Sequence, residues 1–190
     1  MRILLINKFL FYKGGAEKHF FQLKQLLEEH GHEVALFGMA DDRNLKFSNP
    51  TAVVSHVDFE RVRFDWQGLR TAARTFYSFE ARRKLRSLIR DFKPDVAHVH
   101  NIYHQISPSI LTELKRAHVP VVYMLHDFHL LSPNYNLFAN GTIDECVKPN
   151  HIWRVVRHRC VKHSFAASLL AAAAMAFHRA LHIYEKNVDV

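Results

Sequence analysis

The sequence has almost no cysteine: Cys146 and Cys160 are the only two in 190 residues. Two cysteines cannot build a disulfide framework, and their spacing fits no zinc-ligand pattern. A reducing cytoplasm is the natural setting for such a chain. Long apolar runs are missing too. Ile3-Leu4-Leu5-Ile6 is stopped at once by Asn7 and Lys8, too short a run for the core of a signal peptide. The alanine-rich stretch from Phe165 to Phe177 would rise about 20 Å as a helix, short of the roughly 30 Å of a hydrocarbon core. It reads as a buried or interfacial helix. Acidic residues are in deficit, 18 against 26 Lys+Arg, for a formal net charge of +8. Such a field favours anionic partners, whether nucleic acid, acidic lipid headgroups or phosphorylated small molecules.

Missing motifs exclude more. The sequence holds no G-x-G-x-x-G, no Walker lysine–serine pair, no nucleophile elbow and no H-E-x-x-H, which argues against a dinucleotide oxidoreductase, a P-loop enzyme and a serine hydrolase. None of the nucleic-acid reading motifs occurs, so no nucleic-acid partner is assigned. His98, His100, His104, His126 and His129 invite a zinc site. Among fifteen histidines chance proximity is expected, and no metal is assigned. There is no repeat at solenoid periods.

What is present is an alternation of short β-type runs with helical patterns, in a length that suits one domain. Arg2 to Asn7 is a continuous aliphatic run, as expected of a strand covered on both faces. Ala16 to His30 reads as a helix, with Phe20, Leu23 and Leu27 at helical spacing and Gly31 at its C-cap. Further strands are expected at Val34–Phe37, Thr51–Val54, Val96–His100 and Pro120–Leu125. Helices are expected over Phe64–Phe92, Pro108–Ala117 and His151–Tyr184. His126 to Asn150 reads as a long irregular segment with turns at Ser132-Pro133-Asn134 and Asn140-Gly141, and such loops are usually functional or disordered. Val188-Asp189-Val190 looks like the first residues of another strand, so the domain is expected to continue in a parent chain.

In parallel sheets, ligands bind beyond the carboxyl ends of the strands. That rule selects the loops after Asn7, His100 and Leu125. Gly14 and Gly15, between the first strand and its helix, let a ligand approach the backbone and the open helix N-terminus; a tight strand–helix turn explains them equally well. Period-two alternation puts His98 and His100 on one side of their strand. His98 suits a buried, hydrogen-bonded role, while His100 and Asn101 sit at the strand end facing the crevice. His126 ends the fifth strand with a group able to donate, accept and change charge near neutral pH, and Asp127 stands beside it to orient it. A basic cluster runs from Arg61 to Lys93, with Arg82, Arg83 and Arg86 at its centre. It reads as a solvated helix face or as a patch for an anionic surface. A second run holds Lys148, Arg154, Arg157, Arg159 and Lys162.

The pieces Met1-Arg-Ile-Leu-Leu-Ile-Asn7, Gly14-Gly-Ala-Glu-Lys-His19, Gly31-His-Glu-Val34, Lys93-Pro-Asp-Val-Ala-His-Val-His-Asn101 and Val121-Val-Tyr-Met-Leu-His-Asp127, in that order and spacing, resemble the N-terminal domain of the subfamily-4-like retaining GT-B glycosyltransferases. The resemblance implies an α/β fold: a Rossmann-like three-layer sandwich with a mainly parallel sheet, one half of a GT-B cleft. It implies that residues 1–190 form the acceptor-side domain, truncated before the C-terminal donor-binding domain. The donor would be a nucleotide-sugar, with no other cofactor, and the acceptor a glycan or lipid-linked molecule, in polysaccharide biosynthesis. His126 is implied as the catalytic residue. Gly14, Gly15, Glu17, Lys18, His100, Asn101 and Asp127 are implied as acceptor- or donor-binding residues. Leu130 to Arg159 resembles a branch of the family with a cysteine-rich insertion, from which this chain departs, with Ser132 at a usual cysteine position. The family's paired glutamates and phosphate clamp belong to the C-terminal half, so the chain alone is expected to be inactive. The Arg82, Arg83 and Arg86 patch would dock the enzyme peripherally on the inner membrane face. The competing reading is a stand-alone binding module for an anionic lipid or polyphosphate.

Overall fold

The structure is a computed structural model and describes residues 1–57, 66–139, 142–143 and 152–190. The readings placed on Arg61, Arg63, Asn140-Gly141, Cys146 and Lys148 lie outside the described residues. Five strands form one all-parallel sheet: β1 (Arg2–Ile6), β2 (Glu33–Met39), β3 (Thr51–Val54), β4 (Val96–Val99) and β5 (Val121–Tyr123), in the order β3-β2-β1-β4-β5. The main helices are α1 (Gly15–Glu29), α2 (Trp66–Phe76), α3 (Phe79–Phe92), α4 (Tyr103–Ile106), α5 (Leu111–Arg116), α6 (Arg154–Arg157) and α7 (Phe165–Ala180). A 3-10 turn at Pro108–Ile110 leads into α5, and Phe138–Ala139 (β6) pairs antiparallel with Thr142–Ile143 (β7).

The continuous aliphatic run of β1 is explained by its two covered faces. Ile3 and Leu5 pack with Phe20 and Phe21 of α1 and with Val34 and Leu36 of β2. Leu4 and Ile6 pack on the other face with Leu85, Leu88 and Phe92 of α3 and Leu111 and Leu114 of α5. Successive side chains of a strand point to opposite faces, so one run of four apolar residues feeds two cores. The layers are therefore helix, sheet, helix, the Rossmann-like sandwich expected. Helix α7 packs on α6 through a smaller cluster of Ile152, Val156, Ala172 and Met175, and meets α2 where His178 Nε2 lies 3.0 Å from the Phe76 carbonyl oxygen. Among the described residues no helix is long and apolar enough to cross a membrane.

The element ends have local causes. Helix α1 closes with Gly31 at φ 77°, its N–H donating to the Glu28 carbonyl at 2.9 Å while His32 N–H donates to Leu27 at 3.0 Å. This paired pattern is the Schellman ending, which needs a left-handed residue and so favours glycine. The stretch Phe64–Phe92, expected to be mostly helical, holds two helices, α2 and α3, among its described residues. Ser78 takes an extended conformation between them, and its hydroxyl accepts the Ala81 N–H at 3.2 Å, an N-cap that starts a new helix. The expected helix over His151–Tyr184 is likewise divided. Arg159, Lys162 and His163 have positive φ, which ends α6 and delays α7 until Ser164 caps it by accepting from Ala167 N–H. The last residues touch β5 without forming a sixth strand: Val190 N–H donates to the Val121 carbonyl at 3.2 Å, and its carbonyl accepts from Tyr123 at 2.7 Å.

Glu80, in the first turn of α3, fastens that helix to the end of β3. It accepts from the Ser55 amide and hydroxyl at 2.8 and 2.6 Å, and pairs with Lys84 and Arg74 at 2.9 and 3.2 Å. Burial alone would raise its carboxyl. The Ser55 and Lys84 bonds and the Arg74 charge outweigh it and hold the group down to about 2.

Gly38 in β2 sets how closely the segment after β1 approaches the sheet. A Cβ there would stand 2.6 Å from Leu10 Cγ and 2.9 Å from the Asn7 carbonyl oxygen, and the backbone contact cannot rotate away. Gly38→Ala is expected to destabilise the fold by about 1–3 kcal/mol through overpacking. Gly15→Ala, with no atom within 4 Å of the added carbon, serves as the neutral control. Urea unfolding midpoints of the two variants check the contrast.

Candidate functional site

The strand order places the site. Strands β1, β2 and β3 step one way across the sheet, and the chain then returns to lay β4 on the other side of β1. This makes the carboxyl edge between β1 and β4 the switch point, the place where open parallel sheets bind ligands in a crevice.

Asn7 stands at this point and is fully buried. Its Nδ2 donates to the Phe9 carbonyl at 2.8 Å and to Glu17 Oε1 of α1 at 3.4 Å. Its Oδ1 accepts the Asn101 N–H at 3.2 Å. The next residue continues the tie, with Lys8 N–H donating to the Asn101 carbonyl at 2.8 Å and its own carbonyl accepting from Met39 at 3.1 Å. Burial lowers the Lys8 ammonium pKa against the opposing charges of Asp127 and Glu17. That ammonium stands 5.4 Å from the Phe9 ring centre and 5.6 Å from that of Tyr103.

Above Asn7 begins α1. Gly14 is extended (φ −166°, ψ −161°), and the site of a Cβ on Gly15 is open. The first turn thus leaves its backbone exposed to a ligand, and unpaired N–H groups at a helix N-terminus attract anions. Glu17 is turned inward and buried, whereas Lys18 is exposed.

Four histidines converge beside that turn. His98 Nδ1 lies 2.9 Å from His100 Nε2, and His100 Nδ1 lies 2.8 Å from His126 Nε2. The His100 and His126 rings stack at 5.1 Å and 18°. His19 of α1 stands 5.8 Å from His100 and 5.6 Å from His126, and Phe20 meets His100 edge-on at 5.1 Å. His98 and His100 do share one side of the strand. The expectation that His100 and Asn101 face the crevice needs correction: they are 0% and 6% exposed, His100 lying under Phe20 of α1 and His126, and Asn101 tied to Asn7 and Lys8. His98 is only half-buried, and its partner is the next histidine of the row rather than a core group. Burial depresses all three imidazoles, followed for His98 by the neighbouring His19 and His126, and His100 is pushed down to about 2. At His126 burial and His19 lower the value, while Glu17 and Asp127 oppose them.

Asp127 does not bond His126. Its Oδ1 accepts from the Tyr103 hydroxyl at 3.0 Å and from the His129 N–H at 2.9 Å, so it fixes the turn after β5. Asn7, Lys8, His19 and Tyr103 are the residues the sequence reading passed over. A polar side chain directly ending a doubly buried strand was the available signal for Asn7. Among the described residues no group of three or more His, Cys, Asp or Glu is arranged to hold a metal ion. A shallow cleft of about 330 Å³ lined by Arg2, Glu28, Glu33 and Asn49 opens at the amino-terminal edge of the sheet and contains none of these groups.

The arginine cluster is placed elsewhere, on α3. Arg82 Nε donates to Glu113 Oε1 of α5 at 2.6 Å and its Nη2 reaches the same oxygen; Arg86 Nε donates to Oε2 at 2.9 Å and Arg116 to Oε1 at 3.3 Å. The Arg82 side chain is only 11% exposed, and Arg83 is exposed. Burial would raise the Glu113 carboxyl, but the Arg86 and Arg82 hydrogen bonds outweigh it and hold it below its usual range.

A doubly wound sheet with an open glycine turn and polar side chains gathered at its switch point defines a Rossmann-like α/β binding domain, of the kind that forms one half of a GT-B fold. The family model of Glycosyltransferase Family 4 matches residues 13–168, from just before the glycine turn into α7. The chain belongs to that family. It is similar to an uncharacterized 42.6 kDa protein in the cps region of Klebsiella pneumoniae, 26% identical over 156 residues, a match covering 75% of this chain and 41% of that protein. The chain thus spans less than half the length of that relative.

A buried, unpaired cationic imidazole is costly, so the row is neutral at physiological pH. The His100 ring proton resonances are expected to stay constant from about pH 8 down to about pH 5, where an ordinary histidine changes charge. A titration followed by NMR checks this; a midpoint near the usual value would show that the row is open to water.

Proposed function

We propose that this chain is the acceptor-side half of a nucleotide-sugar-dependent glycosyltransferase, completed by a second, donor-binding domain. It moves a sugar with retention of configuration onto a glycan or lipid-linked acceptor. The observation that carries the reading is that α1, which opens on the Gly14–Gly15 turn, stands beside His126 at the switch point with the His19 ring 5.6 Å away, inside a chain of Glycosyltransferase Family 4. Transfer requires the departing phosphate to be stabilised while the anomeric carbon is held against the acceptor oxygen. The open first turn of α1 offers backbone N–H groups to the phosphate or to sugar hydroxyls. His126 offers one ring nitrogen to a hydroxyl while the other is held by His100. Lys18, exposed on the same turn, adds positive charge, and Asp127 holds the loop that carries His126. The relative from the cps region supports polysaccharide assembly as the setting.

The test is sugar transfer from a panel of nucleotide-sugars, with the chain alone and joined to a donor-binding half. The expected result is no transfer by the chain alone and transfer by the joined protein. In the joined protein His126→Ala is expected to lower kcat by about 10²–10⁴-fold, the range for loss of a positioned proton-handling group. Gly15→Val should lower transfer with little change in Tm, since its Cβ meets only the space a ligand would fill. Transfer by the isolated chain would overturn the two-half reading.

The ring of three arginines on Glu113 supports a narrower version of the membrane reading. One carboxylate does not neutralise Arg82, Arg86 and Arg116, and Arg83 adds to the surplus. Arg82→Gln would disturb a largely buried ion pair, so Arg83→Gln is the clean probe. A basic residue near an anionic surface contributes about 1 kcal/mol, so binding to phosphatidylserine vesicles is expected to weaken roughly fivefold at low salt. Unchanged co-sedimentation would discard membrane docking through this face, and with it the stand-alone anionic-lipid module.

A further inference from the structure

Each ring nitrogen joining His98, His100 and His126 faces another ring nitrogen. A neutral imidazole carries one N–H and one bare nitrogen. Two neutral rings can share a hydrogen bond only if one donates and the other accepts. Suppose His98 donates from Nδ1. His100 then accepts at Nε2, so its proton is on Nδ1 and is donated to His126 Nε2; His126 must carry its own proton on Nδ1. Suppose instead His126 donates from Nε2. Then His100 accepts at Nδ1, donates from Nε2 to His98 Nδ1, and His98 carries its proton on Nε2. Any other assignment sets two N–H groups or two lone pairs against each other at under 3 Å.

We propose that the three histidines act as one tautomeric unit, all Nδ1–H or all Nε2–H, so that His98 and His100 determine whether His126 presents a donor or an acceptor to the crevice. His98 and His100 are positioning residues in this scheme. The two sets differ in the place of one terminal proton, on His126 Nδ1 in the first and on His98 Nε2 in the second, so passing between them removes a proton at one end of the row and adds one at the other while both bridging protons shift across their hydrogen bonds. The surroundings suit a neutral unit. His100 is fully buried against Phe20, with only His98, His126 and His19 as its titratable neighbours among the described residues, and the carboxylates that act on His126, Glu17 on α1 and Asp127 after β5, are themselves opposed by Lys8 after β1. His19 on α1 completes the surroundings.

The relevance of the unit to sugar transfer rests on the role given to His126 above; the coupling itself does not. It is tested without donor or acceptor, by long-range proton–nitrogen correlation on the ¹⁵N-labelled chain at about pH 8, above the ordinary histidine range. The protonated nitrogen of an imidazole resonates far upfield of the bare one. The expected result is the same tautomer at positions 98, 100 and 126, with nitrogen–nitrogen scalar coupling across both hydrogen bonds. His100→Phe, which keeps an aromatic ring against Phe20, assigns the signals and should abolish both couplings. A mixed set in the unsubstituted chain, or coupling absent from either link, overturns the proposal. Should His100→Phe fail to fold, the unsubstituted spectrum decides alone. A matched row in an enzyme whose transfer is indifferent to His126 would sink the role of His126 and leave the coupling standing.

Discussion

The site depends on burying one amide. Taking a carboxamide out of water without partners costs several kcal/mol by transfer measures, and Asn7 is wholly enclosed. Its side chain is therefore held to its partners: the Phe9 carbonyl, Glu17 of α1 and the Asn101 N–H. These three belong to the loop after β1, the helix that follows it and the loop after β4. One side chain thus fixes the relative placement of the glycine turn and the histidine strand. Hydrophobic burial positions the helices to within a sliding contact, whereas this polar knot removes the slide, because each displaced atom would leave a buried polar group unsatisfied.

The sheet order puts that knot at the switch point. With β4 returning to the free side of β1, the two segments tied by Asn7 leave the sheet at the carboxyl edge between these strands. Gly38 on the neighbouring strand has the complementary task. Its missing side chain admits Leu10 and the Asn7 carbonyl close to β2, so the segment leading to Gly14 starts low. Bringing α1 down in this way puts His19 within ring contact of His100 and His126.

The sheet was largely legible in the sequence because doubly covered strands must be apolar at every position, a signal confined to a few consecutive residues. All five strands lie where the runs of Ile, Leu and Val occur, and Gly31 marks the end of α1 through its backbone requirement. What was not legible depended on partners distant in the chain. The break between α2 and α3 turns on Ser78, one hydroxyl in an arginine-rich stretch that otherwise keeps a helical period. Arg82 and Arg86 look like free surface charge until Glu113, 27 to 31 residues further on, is folded against them. His100 and Asn101 were read as open to the crevice because strand ends usually are; α1 and His126 cover His100, and the segment after β1 holds Asn101. The pairing of His98 with His100 followed from strand period. That His126 would extend the row required the register of β4 against β5, which no local pattern encodes.

The site also sorts its charges. Glu17 and Asp127 act on His126 and Lys8 stands opposite both carboxylates, yet none of the three hydrogen-bonds the row. Glu17 faces Asn7, the Lys8 ammonium lies near aromatic rings and Asp127 is taken by Tyr103 and the His129 amide. A carboxylate bonded directly to His126 would favour the imidazolium and fix that ring as a donor at both nitrogens. A neighbouring imidazole does neither, since it donates or accepts with almost equal ease. The arrangement therefore supplies polarity at the crevice without a fixed charge. That property suits the role proposed for His126, and it is one that the acid–base pairs of the arginine cluster, with their fixed charges, could not supply at the switch point.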